Sequence, residues 1–299
     1  MTWHPQFACP ECREGLDLAA SCAKCRACDV VFERQDEVFD FMSEARRRRL
    51  EPFLAQYRRV RRADGHVAPG VEAYRALPYR PLTPGSSVEW AIRSESLKTL
   101  LRSAWLQGAP RRVLDVGAGN GWLSQCLAAA GHYVVAVDAN DDAEDGLRVS
   151  RRGAHEVPLV RADFDALPFA PGQFDAVVLN ASLHYAPDVA RTLEAAHTLV
   201  APGGTLVVMD SPWFERDVDG EAMVTEQHAE FTRRYGVDEV VRPGLGYLTF
   251  RRLQDVAARL GRRTCFTQSA GPVAWRLRRF VRRRHTSRPP ATFGVWMTQ

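Results

Sequence analysis

The chain has 299 residues, of which 45% are hydrophobic and 25% are charged, and its net charge is +4. That length allows one large α/β domain and a smaller module, while no apolar run predicts a transmembrane helix or a signal peptide, so we expect a cytoplasmic protein. The positive charge is almost all arginine, since Lys24 and Lys98 are the only lysines, and we do not interpret every arginine as a contact.

The first predicted element is a cysteine-rich module over residues 1–42. Cys9, Cys12, Cys25 and Cys28 form two Cys-x-x-Cys pairs, each of which places two thiolates on one side of a short turn. Two such pairs complete the tetrahedral site that structural zinc prefers. Cys22 begins an alternative knuckle that ends at Cys25. Because so small a segment cannot fold on its own core, we expect zinc to stabilise a zinc-ribbon-like module.

A basic helix and a linker are predicted over residues 43–87. Ser43 is a suitable N-cap for a helix that extends to residue 63, although arginines 46–49 lie in its first turns, where cations oppose the helix dipole. Prolines and glycines between residues 68 and 86 indicate an ordered linker. An amphipathic helix over residues 88–107 then leads into the main sheet.

The most informative motif is Val-Leu-Asp-Val-Gly-Ala-Gly-Asn-Gly at residues 113–121. It predicts a buried strand, a tight turn and the N-terminus of a helix, because apolar residues lead into alternating glycines and a helical pattern follows. Glycine permits positive φ and lets a ligand approach the main chain. A second strand, over residues 133–138, ends at Asp138, whose carboxylate can accept both hydroxyls of an adenosine ribose.

Asp115 indicates which ligand this turn binds. A carboxylate just before the turn would repel a pyrophosphate, but it suits a cation such as the amino end of a methionine moiety. At this point the chain resembles the class I S-adenosylmethionine-dependent methyltransferases, whose first motif is an acid followed by Gly-x-Gly-x-Gly. The resemblance extends over residues 90–299 in the expected order, through Leu-Val-Arg-Ala-Asp-Phe at 159–164 and strand patterns at 174–180 and 199–210.

The resemblance implies a doubly wound, Rossmann-like α/β fold over residues 88–299, with a seven-stranded sheet and helices on both faces. It also implies S-adenosyl-L-methionine as the cofactor, with Asp163 facing the exocyclic amine of adenine and Phe164 beside the ring. The predicted cofactor-binding residues are Asp115, Gly117, Ala118, Gly119, Asn120, Gly121, Asp138, Ala139, Asp163, Phe164 and Asn180.

Candidate catalytic residues follow the strand at 174–180, because ligands of open α/β sheets bind at the carboxyl ends of the strands. His184 has an ordinary pKa suited to general-base work, and Tyr185 can orient a substrate oxygen. The alternative is a packing role for His184, since many methyl transfers need only a positioned nucleophile with in-line geometry.

Two later segments are predicted to surround the acceptor. Residues 211–250 form an insertion after the fifth strand, in which four side chains either contact the substrate or pack within a lid: Trp213, Phe214, His228 and Tyr247. Residues 272–288 predict an amphipathic helix with an arginine face, which is either solvated or binds RNA phosphates or an anionic surface.

The combination of a ribbon with this domain resembles a bacterial ribosomal RNA guanine methyltransferase. However, that family's ribbon has a histidine in place of the last cysteine, and this chain lacks the Asn-Pro-Pro-Tyr and cysteine nucleophile motifs. The domain is more similar to the ubiquinone-biosynthesis type, which methylates small molecules. We therefore expect an enzyme that transfers methyl to a small-molecule acceptor, with a ribosomal or transfer RNA methyltransferase as the alternative and a non-catalytic scaffold or interaction module as the second.

Overall fold

The structure is a computed structural model that describes residues 3–236, 239–273, 276 and 288–299. The strands of this part of the chain are β1 Leu16–Leu18, β2 Cys22–Cys25, β3 Val31–Gln35, β4 Val38–Asp40, β5 Arg112–Val116, β6 Tyr133–Asp138, β7 Leu159–Arg161, β8 Phe174–Asn180, β9 Val200–Met209, β10 Trp213–Phe214, β11 Leu248–Thr249, β12 Thr264–Gln268 and β13 Gly294–Thr298. Its α-helices are α1 Glu44–Ala63, α2 Val71–Arg75, α3 Ser87–Arg102, α4 Trp122–Ala129, α5 Val189–Thr198, α6 Asp217–Tyr235 and α7 Phe250–Arg259.

Seven strands form the predicted α/β sheet, in the order β7-β6-β5-β8-β9-β13-β12. The first five are parallel, and β13 is antiparallel to both of its neighbours. From β5 the chain winds outward to β7 and then returns to β8 on the other side. This reversal creates a switch point between β5 and β8, where open α/β sheets bind ligands. The predicted doubly wound fold is confirmed.

Helices cover both faces of this sheet, which explains the continuous apolar runs of its central strands. Leu114 of β5 belongs to the core that includes Leu193 of α5 and Leu253 of α7. Its neighbour Val113 belongs to the opposite core, with Leu97 of α3 and other residues of α3 and α4. Successive residues of one strand thus serve two helix layers, as the alternation of side chains along a strand requires.

The cysteine-rich segment extends the same sheet. Strands β1 to β4 are antiparallel, and β4 then pairs in parallel with β7, where Val38 lies opposite Leu159 and Asp40 opposite Arg161. The whole sheet therefore has eleven strands. The predicted module of residues 1–42 shares its last strand with the main sheet, so the two regions are joined by backbone hydrogen bonds as well as by the chain.

The predicted helix at residue 43 is present, and Ser43 caps it by accepting the backbone N–H of Arg46 at 3.4 Å. Three other boundaries differ from the prediction. The helix before β5 ends at Arg102 and is followed by a separate 3₁₀ turn, Ala104–Leu106. In the insertion the sequence predicts a helix over residues 221–235, but the helix begins four residues earlier, at Asp217, because acidic residues favour the first turn. The sequence also predicts a helix over residues 248–260, but residues 248–249 form β11 against β10.

The predicted arginine-rich helix over 272–288 lies almost entirely outside the described residues. Among the helices that the structure does describe, none combines the length and the apolar character needed to cross a bilayer.

Candidate active site

A pocket lies at the carboxyl ends of β5, β6 and β8 and contains about 760 Å³ of space, its open mouth included. Six of the predicted cofactor residues line it: Gly117, Gly119, Asp138, Ala139, Asp163 and Phe164. The remaining five are Asp115, Ala118, Asn120, Gly121 and Asn180, which support the turn or lie buried beside it. The sheet topology thus brings the predicted residues to a single edge.

The glycine-rich turn has the backbone conformation that its sequence predicts. Gly117 has φ of +72°, and a Cβ atom there would lie 2.3 Å from the Cβ of Ser182. Gly119 has φ of +57°, and a Cβ there would meet no atom within 4 Å. The first glycine is therefore required by packing, whereas the second leaves open space in which a ligand can approach the backbone.

Asp138 is oriented by two backbone hydrogen bonds. Its Oδ2 accepts the N–H of Gly119 at 2.7 Å, and its Oδ1 accepts the N–H of Asn140 at 2.7 Å. Burial raises the pKa of Asp138 to about 6, although these backbone donors oppose the rise. Each carboxylate oxygen retains a lone pair, so the group can still accept two hydroxyls.

Asp115 is fully buried and only half satisfied. Its Oδ2 accepts the hydroxyl of Ser124 at 2.7 Å, while its Oδ1 has no hydrogen-bond partner in the described part of the chain. Burial raises the pKa of Asp115 to about 7. Nearby on the next strand, buried Asn180 also has an unpartnered Oδ1. Because orphaned buried acceptors are costly, these oxygens fit the amino group of S-adenosylmethionine.

Helix α1 covers the pocket, which sequence reasoning missed. Four of its side chains line the pocket: Leu50, Phe53, Leu54 and Tyr57. Arg49 donates to Asp163 and lies 3.8 Å from Asp165, so an arginine already holds the carboxylate predicted to face adenine. The available signal was the apolar spacing of residues 50, 53, 54 and 57, which defines one face of a helix. This apolar face was missed because the many arginines of α1 made the helix read as basic and solvated.

The two candidate catalytic residues occupy different environments. Tyr185 lines the pocket, and its ring lies 5.4 Å from that of Phe53 and 5.9 Å from that of Tyr57. His184 is not among the lining residues, and its Nδ1 lies 3.1 Å from the Oγ of Ser211. Burial lowers the pKa of His184 to about 3. Its proton affinity is thus low for a general base, and its catalytic role stays a prediction.

The insertion contacts the pocket through a residue that was not predicted, Pro243. Trp213 is buried with its ring 5.2 Å from that of Phe250, and Phe214 packs 6.1 Å from Tyr247. His228 is exposed on α6. These four candidates lie outside the pocket lining, and the three buried ones fit the alternative role of packing within the insertion.

The four predicted cysteine ligands form a cluster. The Sγ atoms of Cys9, Cys12, Cys25 and Cys28 all lie within 4.8 Å of one another, with 3.4 Å between Cys12 and Cys25. A tetrahedral zinc with bonds of about 2.3 Å separates its sulfurs by about 3.8 Å, so the set fits. The alternative ligand Cys22 is not in the cluster. Backbone donors lower the pKa of Cys25 to about 6, which favours its thiolate.

The cysteine cluster is hydrogen-bonded to the loop that follows Phe164. Ala8 donates its N–H to the carbonyl of Pro168 at 3.1 Å, and Arg13 donates to the carbonyl of Leu167 at 2.8 Å. Both donors are chain neighbours of cluster cysteines. These hydrogen bonds connect the segment that carries the cysteine cluster with the loop that follows the predicted adenine-binding residues.

Comparison with known proteins agrees with this geometry. Residues 114–208 match the family model of a methyltransferase domain. The demethylmenaquinone methyltransferase of Thermus thermophilus is 35% identical over 139 residues, which are 44% of this chain and 59% of that protein. The ubiquinone biosynthesis O-methyltransferase of Azotobacter vinelandii is 36% identical over 129 residues, 38% of this chain and 54% of that one. The chain spans about half the length of the curated relatives it matches.

Two solved structures show the same fold. An S-adenosylmethionine-dependent methyltransferase from Mesorhizobium loti has a TM-score of 0.51 at 19% identity, covering 71% of this chain and 100% of its own. A geranyl diphosphate methyltransferase has a TM-score of 0.52 at 18% identity, covering 69% and 76% respectively. At such low identity, the similarity concerns the fold alone.

Proposed function

We propose that this chain, whose residues 114–208 are a class I methyltransferase domain, is an S-adenosylmethionine-dependent methyltransferase acting on a small molecule. The observation that carries the proposal is the pair of carboxylates at the turn after β5. Asp115 has a buried oxygen that fits an ammonium group, and Asp138 is fixed by the backbone with lone pairs free for hydroxyls. When bound, the cofactor supplies an electrophilic methyl carbon on a sulfonium.

In this proposal, different residues of the chain bind different parts of the cofactor. Asp115 and Asn180 hold the amino end, Asp138 holds the ribose, and Asp163 with Phe164 holds the adenine. The turn residues Ala118, Asn120, Gly121 and Ala139 support these groups. Tyr185 lies at the acceptor side, where it would orient the nucleophile. The apolar face of α1 would exclude water from the pocket, which strengthens every electrostatic contact inside it.

A small-molecule acceptor draws its support from the relatives. One of the two relatives named above is a demethylmenaquinone methyltransferase and the other is a ubiquinone biosynthesis O-methyltransferase. Residues 114–208, which match the methyltransferase family model, contain the glycine-rich turn and several of the strands that build this pocket. The RNA alternative, which rests on the combination of a ribbon with this domain and on the arginine-rich segment, has no comparable support from the relatives named above. The scaffold alternative does not explain why both carboxylates of the turn are present.

We also propose that the four clustered cysteines bind a structural zinc ion and that residues 1–42 act as a metal-stabilised module. Four thiolates leave no coordination position for water, so the ion would stabilise the fold rather than catalyse. Free thiols in such a cluster suit a reducing compartment, which is consistent with a cytoplasmic protein. Elemental analysis of the purified protein should find zinc equimolar with the chain, and its absence would refute this part of the proposal.

The function is tested with methyl-labelled S-adenosylmethionine and two fractions of host extract, total RNA and small metabolites. We expect label in the metabolite fraction, where mass spectrometry would identify the product, and less label with the Asp138→Ala variant at a cofactor concentration that does not saturate it. Label in RNA would establish the alternative. Binding of the cofactor without transfer to either fraction would favour the scaffold, and failure to bind the cofactor would refute the proposal.

A further inference from the structure

Asp163 is a buried carboxylate of the pocket, on the side away from β5. It lies two residues after the end of β7, and the last residue of that strand, Arg161, is the sheet partner of Asp138 on β6. Asp163, Asp138 and Phe164 all line the pocket. The strand order β7-β6-β5 therefore places Asp163 one strand beyond the proposed ribose contact. In the proposed binding mode this is the position of the adenine, whose exocyclic amine needs a hydrogen-bond acceptor.

Burial opposes the negative charge of this carboxylate. The side chain of Asp163 is only 4% exposed, and burial raises its pKa, an effect that the nearby charge of Asp165 reinforces. A carboxyl group that takes up a proton becomes a donor on one oxygen, so it can then bind a 6-oxo group as well as a 6-amino group of a purine. Strict recognition of adenine therefore requires a cation that favours the ionised form.

Arg49 of α1 supplies such a cation. Its Nη2 donates to Oδ2 of Asp163, and its Nη1 lies 3.8 Å from Asp165. Among the described residues it is the one side chain that hydrogen-bonds to the Asp163 carboxylate, and its charge opposes the rise in pKa that burial causes, with a smaller contribution from Arg46. Because the guanidinium donates to Oδ2, lone pairs of the carboxylate remain for a donor inside the pocket.

The helix that carries Arg49 fixes its position. The next residue, Leu50, is buried in an apolar cluster with Leu54, and Ala139 of the loop after β6 packs against this cluster. Since Ala139 also lines the pocket, α1 is seated directly on the pocket wall. Arg49 itself is not among the lining residues, so it acts on a ligand through the carboxylate of Asp163 rather than by contact.

We infer that Arg49 is a positioning residue that sets the base specificity of the cofactor site, because it holds the Asp163 carboxylate as a hydrogen-bond acceptor for a 6-aminopurine and against a 6-oxopurine. The inference rests on the proposed function, since it concerns recognition of S-adenosylmethionine in the same pocket. An ionised carboxylate only accepts hydrogen bonds, so it binds the exocyclic amine of adenine and repels the carbonyl oxygen that replaces this amine in hypoxanthine.

The test compares, by calorimetry, the affinities for S-adenosylhomocysteine and for S-inosylhomocysteine, in which an oxygen replaces the exocyclic amine. Wild-type protein should bind the adenine compound at least about tenfold more tightly. The carboxylate is buried whereas 48% of the arginine side chain is exposed, so we expect a moderate effect of Arg49→Met. The affinity for the adenine compound should fall about tenfold and that for the inosine compound less than about threefold, which narrows the preference.

Conservative and combined variants assign this preference to the charge that Arg49 brings to Asp163. Arg49→Lys should recover part of the preference, since lysine keeps the charge but not the planar donors. In an Asp163→Asn background, Arg49→Met should have little further effect on either affinity, because the two residues act as a unit.

The matched control is Arg48→Met. It removes the neighbouring arginine of α1, which is exposed and pairs with Glu44 of the same helix, and it should change neither affinity. Thermal melts show whether each variant is folded. If Arg49→Met does not fold, Arg49→Gln tests the same loss of charge with a polar side chain.

Three results would overturn the inference. Loss of both affinities by the same factor in Arg49→Met, or no change in either, would show that Arg49 does not act on the base. Tighter binding of S-adenosylhomocysteine by Arg49→Met would show that the arginine competes with adenine for the carboxylate. Wild-type protein that binds both compounds equally would show that the site does not select the base. Wild-type protein that binds neither compound would instead refute the proposed function.

Discussion

The two sides of the pocket are assembled in different ways. The cofactor side comes from strand ends and tight turns between residues 115 and 164, so residues close in sequence are close in space. The acceptor side comes from three distant segments, namely α1, the turn after β8 and the insertion at 239–247. Local backbone geometry determines the cofactor side, whereas the acceptor side depends on packing between segments that are distant in the sequence.

The electrostatics of the two sides differ as well. On the cofactor side the orienting contacts are backbone N–H groups, which hold Asp138 at fixed distances. On the acceptor side the contacts between segments include side chains, such as Gln56 of α1 and Arg242 of the insertion. We therefore propose that the cofactor side identifies the reaction class and that the acceptor side determines the substrate.

The largest effect on the cofactor side should follow from Gly117→Ala. Positive φ costs an alanine about 1–2 kcal/mol, and a Cβ at 2.3 Å from Ser182 forces a further shift in the turn. We expect cofactor affinity, measured by calorimetry, to fall by more than about 3 kcal/mol. Gly131→Ala is the control, because Gly131 also has positive φ but a Cβ there meets nothing within 4 Å. Equal losses in both variants would show that the turn does not contact the cofactor.

A smaller loss should follow from Asp138→Ala, which removes the proposed ribose contacts but leaves the backbone of the turn intact. We expect cofactor binding to weaken by about 1–3 kcal/mol, because hydrogen bonds to a charged group are lost. Glu156→Gln, which changes an exposed acid away from the pocket, should leave the affinity unchanged. An unchanged calorimetric affinity for Asp138→Ala would exclude this residue from the site.

The cofactor side of the pocket could be predicted from the sequence, whereas most of the acceptor side could not. The glycines at 117, 119 and 121, together with Asp115 and Asp138, predict a nucleoside site, because local residue types determine backbone conformation and burial in this region. The cluster of four cysteines was equally predictable from their spacing. The covering of the pocket by α1 and by Pro243 was not predictable, since nothing in these segments indicates which distant strand ends they will cover. The parallel pairing of β4 with β7 is another contact between distant segments that no local sequence pattern predicts.

The pH dependence of cofactor binding tests the contact of Asp115 with the amino group. Its folded pKa of about 7 exceeds the unfolded value of about 3.9, so the free folded protein binds a proton here and loses stability as pH rises from 4 to 7. If the cofactor requires the carboxylate, its affinity should rise about tenfold between pH 6 and 8.

Asp115→Asn separates this titration from that of its neighbour. The variant should retain only the change of about twofold that Asp138 contributes with its pKa near 6. Calorimetry in buffers of different ionisation enthalpy should also show proton release on binding to wild type at pH 6. An unchanged pH dependence in Asp115→Asn would show that another group controls it.

Metal removal tests whether the cysteine cluster supports the cofactor side. Without an ion the hydrogen bonds from Ala8 and Arg13 to residues 167 and 168 should weaken, and the adjacent loop should lose its fixed conformation. We expect a chelator to lower the melting temperature and to weaken cofactor binding about threefold to fivefold, less than loss of a direct contact. Re-addition of zinc should restore both, whereas unchanged affinity of the metal-free protein would show that the ribbon and the pocket are independent.

The smallest effect should come from His184→Asn. Burial holds the pKa of His184 near 3, so the ring is already neutral across the physiological range and its titration cannot shape a rate profile between pH 6 and 9. Loss of a working general base costs about 10²–10⁴ in rate, whereas we expect a decrease below about threefold. Tyr185→Phe provides the comparison, because Tyr185 does line the pocket. A rate loss above about a hundredfold in His184→Asn, with cofactor affinity intact, would establish His184 as the base. The pocket would then have to admit the acceptor to the far side of Tyr185, since the ring of His184 contacts Tyr185 and Ser211 rather than the space where the cofactor binds.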